Sequence, residues 1–325
     1  MTVSESNTSA AQPIAPSPSS DDVVSAAELS SAAELSSAGE LPSAQQLRGI
    51  AKEAAWTVGP ALRLAFRAQM DIDIKTSAHD LVTIYDKQTE QQLVQLLSQA
   101  IPDSRFTGEE GGAQGSGRVE WIIDPIDGTS NFAHGFAMFS VSIAAAVDDQ
   151  VIAGVVYDPV NELTFSADDD AAYLQTREQP EQALKPTPKL AADGDPRREN
   201  QLNLVTSFPG AEMLARRGTE ALEGFAELVT TYSSVRRVIS GALELCHAAA
   251  GWADVAAGGK TNPWDVAAGQ LVLRRAGGRY LPFGAREGRS WEGAESPDAH
   301  LAPGYVGLAP GVEAPTAARV FADFA

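Results

Sequence analysis

Apolar positions along the chain fall into two rhythms, one helical and one extended. From Ala44 onward, Leu47, Ile50, Ala51, Ala54, Val58, Ala61, Leu62, Ala65 and Phe66 recur at helical spacing, and Pro60 predicts a kink in that helix. A second helix is expected from about Tyr85 to Gln99, ended by Ile101 and Pro102. The stretch "SRFTGEEGG" reads as a short strand running into a glycine-rich turn, and Trp121-Ile122-Ile123 as a buried strand. "FSVSIAAAVDDQVIAGVVYDP" predicts a hairpin that turns at Asp148-Asp149-Gln150, and "NELTFSADDDAAYLQT" predicts another strand pair. Beyond a polar loop, Lys185 to Asn200, the short apolar runs "NLVTS", "VRRVIS" and "GGRYL" alternate with helices. Those helices are expected at about Ala211–Leu228, Gly241–Ala250 and Asp265–Ala276, and such alternation predicts α/β architecture.

These patterns divide the chain into three parts: residues 1–44, an α+β half over 45–190 and an α/β half over 191–325. The first part is built of Ala, Ser, Pro and acid, and the first basic side chain is Arg48. Its hexapeptide repeat, AAELSS, AAELSS, AGELPS, supplies Leu29, Leu35 and Leu41, too few apolar residues for a core. A disordered, solubilising tail is the expectation.

Charge narrows the partners. The 325 residues carry a formal net charge of −19, with a pI near 4.5. Such a surface repels nucleic-acid phosphates and anionic membranes. The sole cysteine, Cys246, rules out an intramolecular disulfide and fits a reducing compartment. With neither a secretory leader pattern nor an apolar run of membrane-spanning length, a cytoplasmic location is expected.

Chemistry concentrates at four acidic stations: Glu109 with Glu110 in "GEE", Asp124, Asp127, and Asp265 in "PWD". Each stands beside Gly or Pro at a strand end or helix start. Taken alone, Asp124 and Asp127 read equally well as turn formers, and Asp265 as a helix N-cap. Taken together, they suit hard divalent cations, which take oxygen ligands and keep several waters. Asp124 has two oxygens with which to bridge ions, and the Ile126 carbonyl offers one more. Gly128, Thr129 and Ser130 then open a helix whose free N–H groups suit phosphate. Metals beside a phosphate cradle point to phosphoryl hydrolysis.

"KTSAHDLVTIYD", "GEE", "DPIDGT" and "NPWDVAAGQLVLRRAGG", in this order and spacing, resemble the inositol monophosphatase family of Mg²⁺-dependent phosphomonoesterases over roughly residues 45 to 310. The resemblance implies a layered α/β/α/β/α sandwich, its first half mainly antiparallel. It implies two or three Mg²⁺ ions held by Glu109, Asp124, Asp127, Asp265 and the Ile126 carbonyl. By the same likeness, Glu109 and Thr129 hold the nucleophilic water, with Asp86 supporting Thr129. Gly128, Thr129 and Asp127 contact substrate, Lys75 aligns with a lysine near the mouth of the site, and Asp254 with an acid near the sugar. A small phosphorylated metabolite, antagonism by Li⁺ and a homodimer are implied too.

The sequence departs from the family where inositol-specific members place a Glu, seven residues before the WD aspartate. Gly258 stands there, preceded by Ala257 in place of an aromatic, and Lys260 follows. The alcohol half of the substrate therefore stays open among inositol, other polyols or sugars, histidinol phosphate, a sugar bisphosphate and a nucleotide 3′-phosphate. A non-catalytic relative would show lost ligands, and none is lost here. His134 reads as a loop position, His247 and Cys246 as packed on a helix, and Trp56, Trp121, Trp252 and Trp264 as core.

Overall fold

A computed structural model describes residues 41–68, 72–74, 81–191 and 194–324. Residues 1–40, which hold most of the expected tail, and Lys75 lie outside the described residues.

The first helix, α1 (Ala44–Ala65), begins at a capping box in which Ser43 and Gln46 satisfy each other's backbone N–H, and it runs through Pro60. A short antiparallel pair follows, β1 (Ile72–Ile74) with β2 (Leu81–Thr83), leading into α2 (Ile84–Ala100). Next come β3 (Ser104–Gly108), β4 (Gly112–Gly115), β5 (Val119–Asp127), the one-turn α3 (Thr129–Ala133), β6 (Ser140–Val147), β7 (Gln150–Asp158), β8 (Leu163–Ala167), β9 (Ala172–Gln175) and β10 (Gln182–Ala183). The eight strands β3 to β10 form one sheet in the order β10-β9-β8-β7-β6-β5-β3-β4, antiparallel throughout except for β3 beside β5. The expected hairpin is there, but its turn is the two-residue Asp148-Asp149, both with positive φ. Such a turn matches the twist of the flanking strands and returns Gln150 to the ladder.

The remainder supplies β11 (Asn203–Thr206), α4 (Ala211–Arg217), α5 (Thr219–Thr231), β12 (Ser234–Arg237), α6 (Gly241–Ala249), β13 (Val255–Gly259), α7 (Pro263–Arg275), β14 (Arg279–Arg286), β15 (Arg289–Glu292), β16 (Gly304–Leu308) and α8 (Pro315–Phe324). One long helix over 211–228 is replaced by two, because Gly218 takes φ 54° and interrupts the ladder. The second sheet runs β12-β11-β13-β16-β14-β15, parallel at β12-β11-β13 and antiparallel beyond.

Side-chain alternation on the strands builds the layers. On β5, Trp121 and Ile123 pack with α1 and α2, while Ile122 points the other way, toward α6 and α7. On β13, Ala256 faces α6 and α7, whereas Val255 and Ala257 face α5 and α8. Both faces of β6 are covered, which accounts for its unbroken apolar run. The result is the α/β/α/β/α sandwich, with α6 and α7 as its middle layer and buried on nearly every side. None of the helices described is long and apolar enough to cross a membrane.

Candidate active site

Asp124 and Asp127 stand three apart on β5, a spacing that in a regular strand sends side chains to opposite faces. The pairing register with β6 shifts between them, Asp124 opposite Ser142 and Asp127 opposite Ser140. The extra residue is a bulge, and it brings both carboxylates to one side. Asp124 also accepts a bond from its own Ile126 N–H at 3.0 Å, closing the turn around Pro125.

These acids line a cleft of about 220 Å³ with Glu109, Ile126, Gly128, Thr129 and Asp265. Each is brought in by a different device. Glu109 follows β3, its N–H bonded to the Ile123 carbonyl at 3.2 Å. The next two N–H groups, of Glu110 and Gly111, are held by the Glu90 carboxylate on α2. Asp265 is the third residue of α7, where one of its oxygens accepts the Asn262 N–H at 2.7 Å. Asn262, not Asp265, is the cap; the helix starts two residues earlier than expected, with Pro263 at its first position.

Asp127 is held across the molecule. The N-terminus of α6 meets it: Ser240 Oγ donates at 2.6 Å, Gly241 N at 3.1 Å and Ala242 N at 2.9 Å. Free N–H groups and the helix dipole favour a negative charge there. Burial nevertheless outweighs those bonds and pushes Asp127 up to about 6. Asp124 is pushed well above the carboxylate range by burial first, then by the charges of Glu109, Asp127 and Asp265. Burial pushes Asp265 well up too, against its bond from Asn262. Glu109 and Asp124 also touch side chain to side chain.

This donor set fits divalent cations. It offers only oxygen, from four carboxylates and the Ile126 carbonyl. Among the described residues no guanidinium or ammonium bonds to Asp124, Asp127 or Asp265. Cations there would offset both the repulsion and the burial cost. A separate acidic group, Asp168, Asp169 and Asp170, has oxygens within 4.8 Å of one another. It already has partners: Arg48 pairs with Asp168, and Gln45 donates to the other two.

Thr129 opens α3 after Gly128, whose φ of 95° is the left-handed region that favours glycine. The Thr129 hydroxyl has two acceptors in range, Asp86 Oδ1 at 2.8 Å and the Ile126 carbonyl at 3.1 Å, and Asp86 is the nearer. Asp86 is fully buried, and its other oxygen is saturated by Thr83 N and Thr83 Oγ1, both at 2.7 Å. With its proton committed to Asp86, the Thr129 oxygen keeps lone pairs for an incoming donor.

Sequence reasoning missed three groups. The capping of Asp127 by Ser240–Ala242 had a faint signal, the helix start expected at Gly241. The Asn131 amide donates to the Met138 and Val238 carbonyls at 2.7 and 2.6 Å, fastening the "DGTSN" turn to the segment before α6. Tyr305, fully buried yet lining the cleft, lies against Gly258: a Cβ there would stand 2.7 Å from the ring. No local pattern marks Tyr305.

Asp254 requires a correction. It was expected near the substrate, but it precedes β13, at the end away from the cleft-lining Gly259 and Lys260. Arg197 grips both its oxygens and Asn203 N donates at 2.9 Å. The pair, with Asp254 buried and Arg197 partly so, ties the 185–200 loop to the head of the strand. His134 is exposed, Cys246 is buried, and His247 packs with Phe165 and Trp252, held down to about 4 by burial.

Comparison with known proteins adds three findings. A model of the inositol monophosphatase family matches residues 43–320. The Nus factor SuhB of Pasteurella multocida is 33% identical over 72% of this chain and 84% of its own, and the inositol-1-monophosphatase SuhB of Mycobacterium tuberculosis is 34% identical over 66% and 72%. The crystal structure of the extragenic suppressor protein suhB from Bartonella henselae superposes with a TM-score of 0.71 at 26% identity, covering 85% of this chain and 98% of that one.

Proposed function

Because the chain belongs to the inositol monophosphatase family, we propose that it is a Mg²⁺-dependent phosphomonoesterase of small polyol or sugar phosphates. The observation that carries this reading is the convergence of Glu109, Asp124, Asp127 and Asp265 on the cleft that Gly128 and Thr129 also line. These carboxylates and the Ile126 carbonyl would hold the ions. Bound Mg²⁺ supplies polarisation of the phosphoryl group and a lowered pKa for water.

The chain's own groups do the rest. Backbone N–H groups of Gly128 and Thr129 bind phosphate oxygens at the start of α3. The Thr129 hydroxyl, its proton committed to Asp86, accepts from the attacking water and orients it together with Glu109. The N-terminus of α6 keeps Asp127 in place. Histidinol phosphate has less support, since its amine would need an acid and Asp254, the acid aligned with one near the sugar, is taken by Arg197. A cytoplasmic setting agrees with the single buried thiol, and a homodimer with the family resemblance.

A second reading follows from one finding, the name Nus factor carried by the Pasteurella relative: a regulatory protein on the same fold. The intact set of acids and Thr129 favours the enzyme. The test is phosphate release with Mg²⁺ from inositol 1-phosphate, galactose 1-phosphate, glycerol 2-phosphate, histidinol phosphate and adenosine 3′,5′-bisphosphate. Turnover of the polyol or sugar esters is expected; none from any ester would sink the enzymatic reading.

A further inference from the structure

One helix reaches both of the groups that would hold the attacking water. Asp86, Glu90, Leu93 and Leu97 are buried on α2 at i, i+4, i+7 and i+11, a single inward stripe. Its leucines pack with α1. Its first two members are carboxylates, and a buried carboxylate is costly unless it is hydrogen-bonded. Asp86 accepts the Thr129 hydroxyl at 2.8 Å. Glu90, only 3% exposed, stands one turn further along and reaches the hairpin turn Glu109-Glu110-Gly111 between β3 and β4. Its Oε2 accepts the Glu110 N–H at 2.9 Å and its Oε1 the Gly111 N–H at 2.6 Å.

The glycines on either side of the acids show how closely that carboxylate approaches. A Cβ on Gly108 would stand 2.6 Å from the Glu90 carboxyl group. A Cβ on Gly111 would meet the Gln114 amide and, at 2.8 Å, Glu90 Oε1. Neither glycine has a positive φ. Room for Glu90, not backbone freedom, is what these two positions require.

Packing does little to hold the turn. The ladder ends at Gly108 and Gly112, and β4 beyond it is exposed at every residue. A cavity of about 360 Å³, lined by Glu90, Gln91, Glu110 and Gln114, opens beside it. Inside the turn, the Glu109 N–H has a long bond to the Ile123 carbonyl at 3.2 Å, and the other two N–H groups depend on Glu90. The Glu90 carboxylate therefore fixes the backbone from which the Glu109 side chain enters the cleft.

We infer that Glu90 is a positioning residue for Glu109, and that the one-turn spacing of Asp86 and Glu90 on α2, about 6 Å along the axis, sets Glu109 against Thr129 around the attacking water. This rests on the phosphatase reading and deepens it. Glu90 is not among the residues that line the cleft; it acts through the backbone of the turn.

The test is Glu90→Gln, which keeps the shape but only one acceptor oxygen, so one N–H of the turn loses its partner. At saturating Mg²⁺, kcat on the ester hydrolysed fastest should fall by about 10- to 100-fold, as expected for a misplaced group, while KM stays within about threefold because phosphate is held at the start of α3. The melting temperature in chelator should move little. The Mg²⁺ concentration giving half of the Mg²⁺-dependent rise in melting temperature should increase by about three- to tenfold, because Glu109 is a ligand. Glu90→Asp keeps both oxygens but withdraws them by one methylene; it should shift the same readouts in the same direction, and it carries the test if the Gln variant does not fold. A kcat within about twofold of wild type in a folded variant, or a lower melting temperature in chelator with kcat and Mg²⁺ dependence unchanged, would assign Glu90 to support of the fold alone and overturn the inference while leaving the phosphatase reading standing. If the wild type turns over no ester, the phosphatase reading falls, and the Mg²⁺ dependence of melting still decides whether Glu90 sets Glu109: a shift supports that hold, and an unshifted curve overturns it.

Discussion

Glu244 offers a sharp quantitative test, because it lies just behind the acids without being one of them. It sits on α6, fully buried; Oε2 accepts the Tyr305 hydroxyl at 3.3 Å, and Oε1 has no partner. Burial first, and then the charge of Asp127, push its carboxyl from an ordinary 4.5 to about 8. A raised acid is neutral in the fold over a range where the unfolded chain ionises it. Its contribution is therefore fully present below pH 4.5 and is lost as pH climbs toward 8. At about 1.4 kcal/mol per pH unit, the loss is roughly 3 kcal/mol by pH 7. Glu244→Gln removes the titration and keeps the shape. In urea denaturation with a chelator present, the variant should gain on the wild type by roughly 2–3 kcal/mol between pH 6 and pH 8. Parallel stability curves across that range would refute the argument, whatever the absolute difference between the two proteins.

Three further perturbations probe the cleft. Asp127→Asn should lower kcat by about a thousandfold or more and shrink the Mg²⁺-dependent rise in melting temperature, since one ligand charge is lost; near-normal turnover would defeat the metal assignment. Thr129→Val keeps the volume but leaves the Asp86 oxygen unpaired, and should cost about 10²–10³ in kcat with little change in KM, read by steady-state kinetics. Gly258→Ala drives a methyl into the Tyr305 ring, and should destabilise the fold by about 1–3 kcal/mol in urea titration; an unperturbed midpoint would mean that the ring yields.

The parts of this site that could be read from sequence are those whose chemistry is local. "GEE", "DPIDGT" and "NPWD" each place an acid beside the residue that turns the chain, so acid and geometry appear in one string. Finer detail was not legible: the bulge between Asp124 and Asp127 shows only in the strand pairing, and the cap expected at Asp265 falls to Asn262. What stayed hidden depends on distance along the chain. Asp127 is held by residues more than a hundred positions later. Asp254 aligned with a substrate contact, yet Arg197, from a loop with no pattern of its own, claims it. Gly258 showed only that a side chain was missing; that Tyr305 fills the space is visible only in the packed sheet. The same holds for the fold: alternation predicted layers, but the break at Gly218 turned on a single backbone angle.

The middle layer has a consequence for how this protein comes into being. Asp124 and Glu109 belong to the first sheet, while Asp265 and the bonds that seat Asp127 come from α6 and α7, after residue 239. A nascent chain translated to that point already contains Gly128 and Thr129 and three of the acids, yet it lacks Asp265 and the α6 N-terminus that seats Asp127. The four acids therefore meet only once α6 and α7, and the strands of the second sheet that follow residue 239, are in place. Until then the half-built molecule lacks a complete set of carboxylates, and a chain cut short of Asp265 never acquires one.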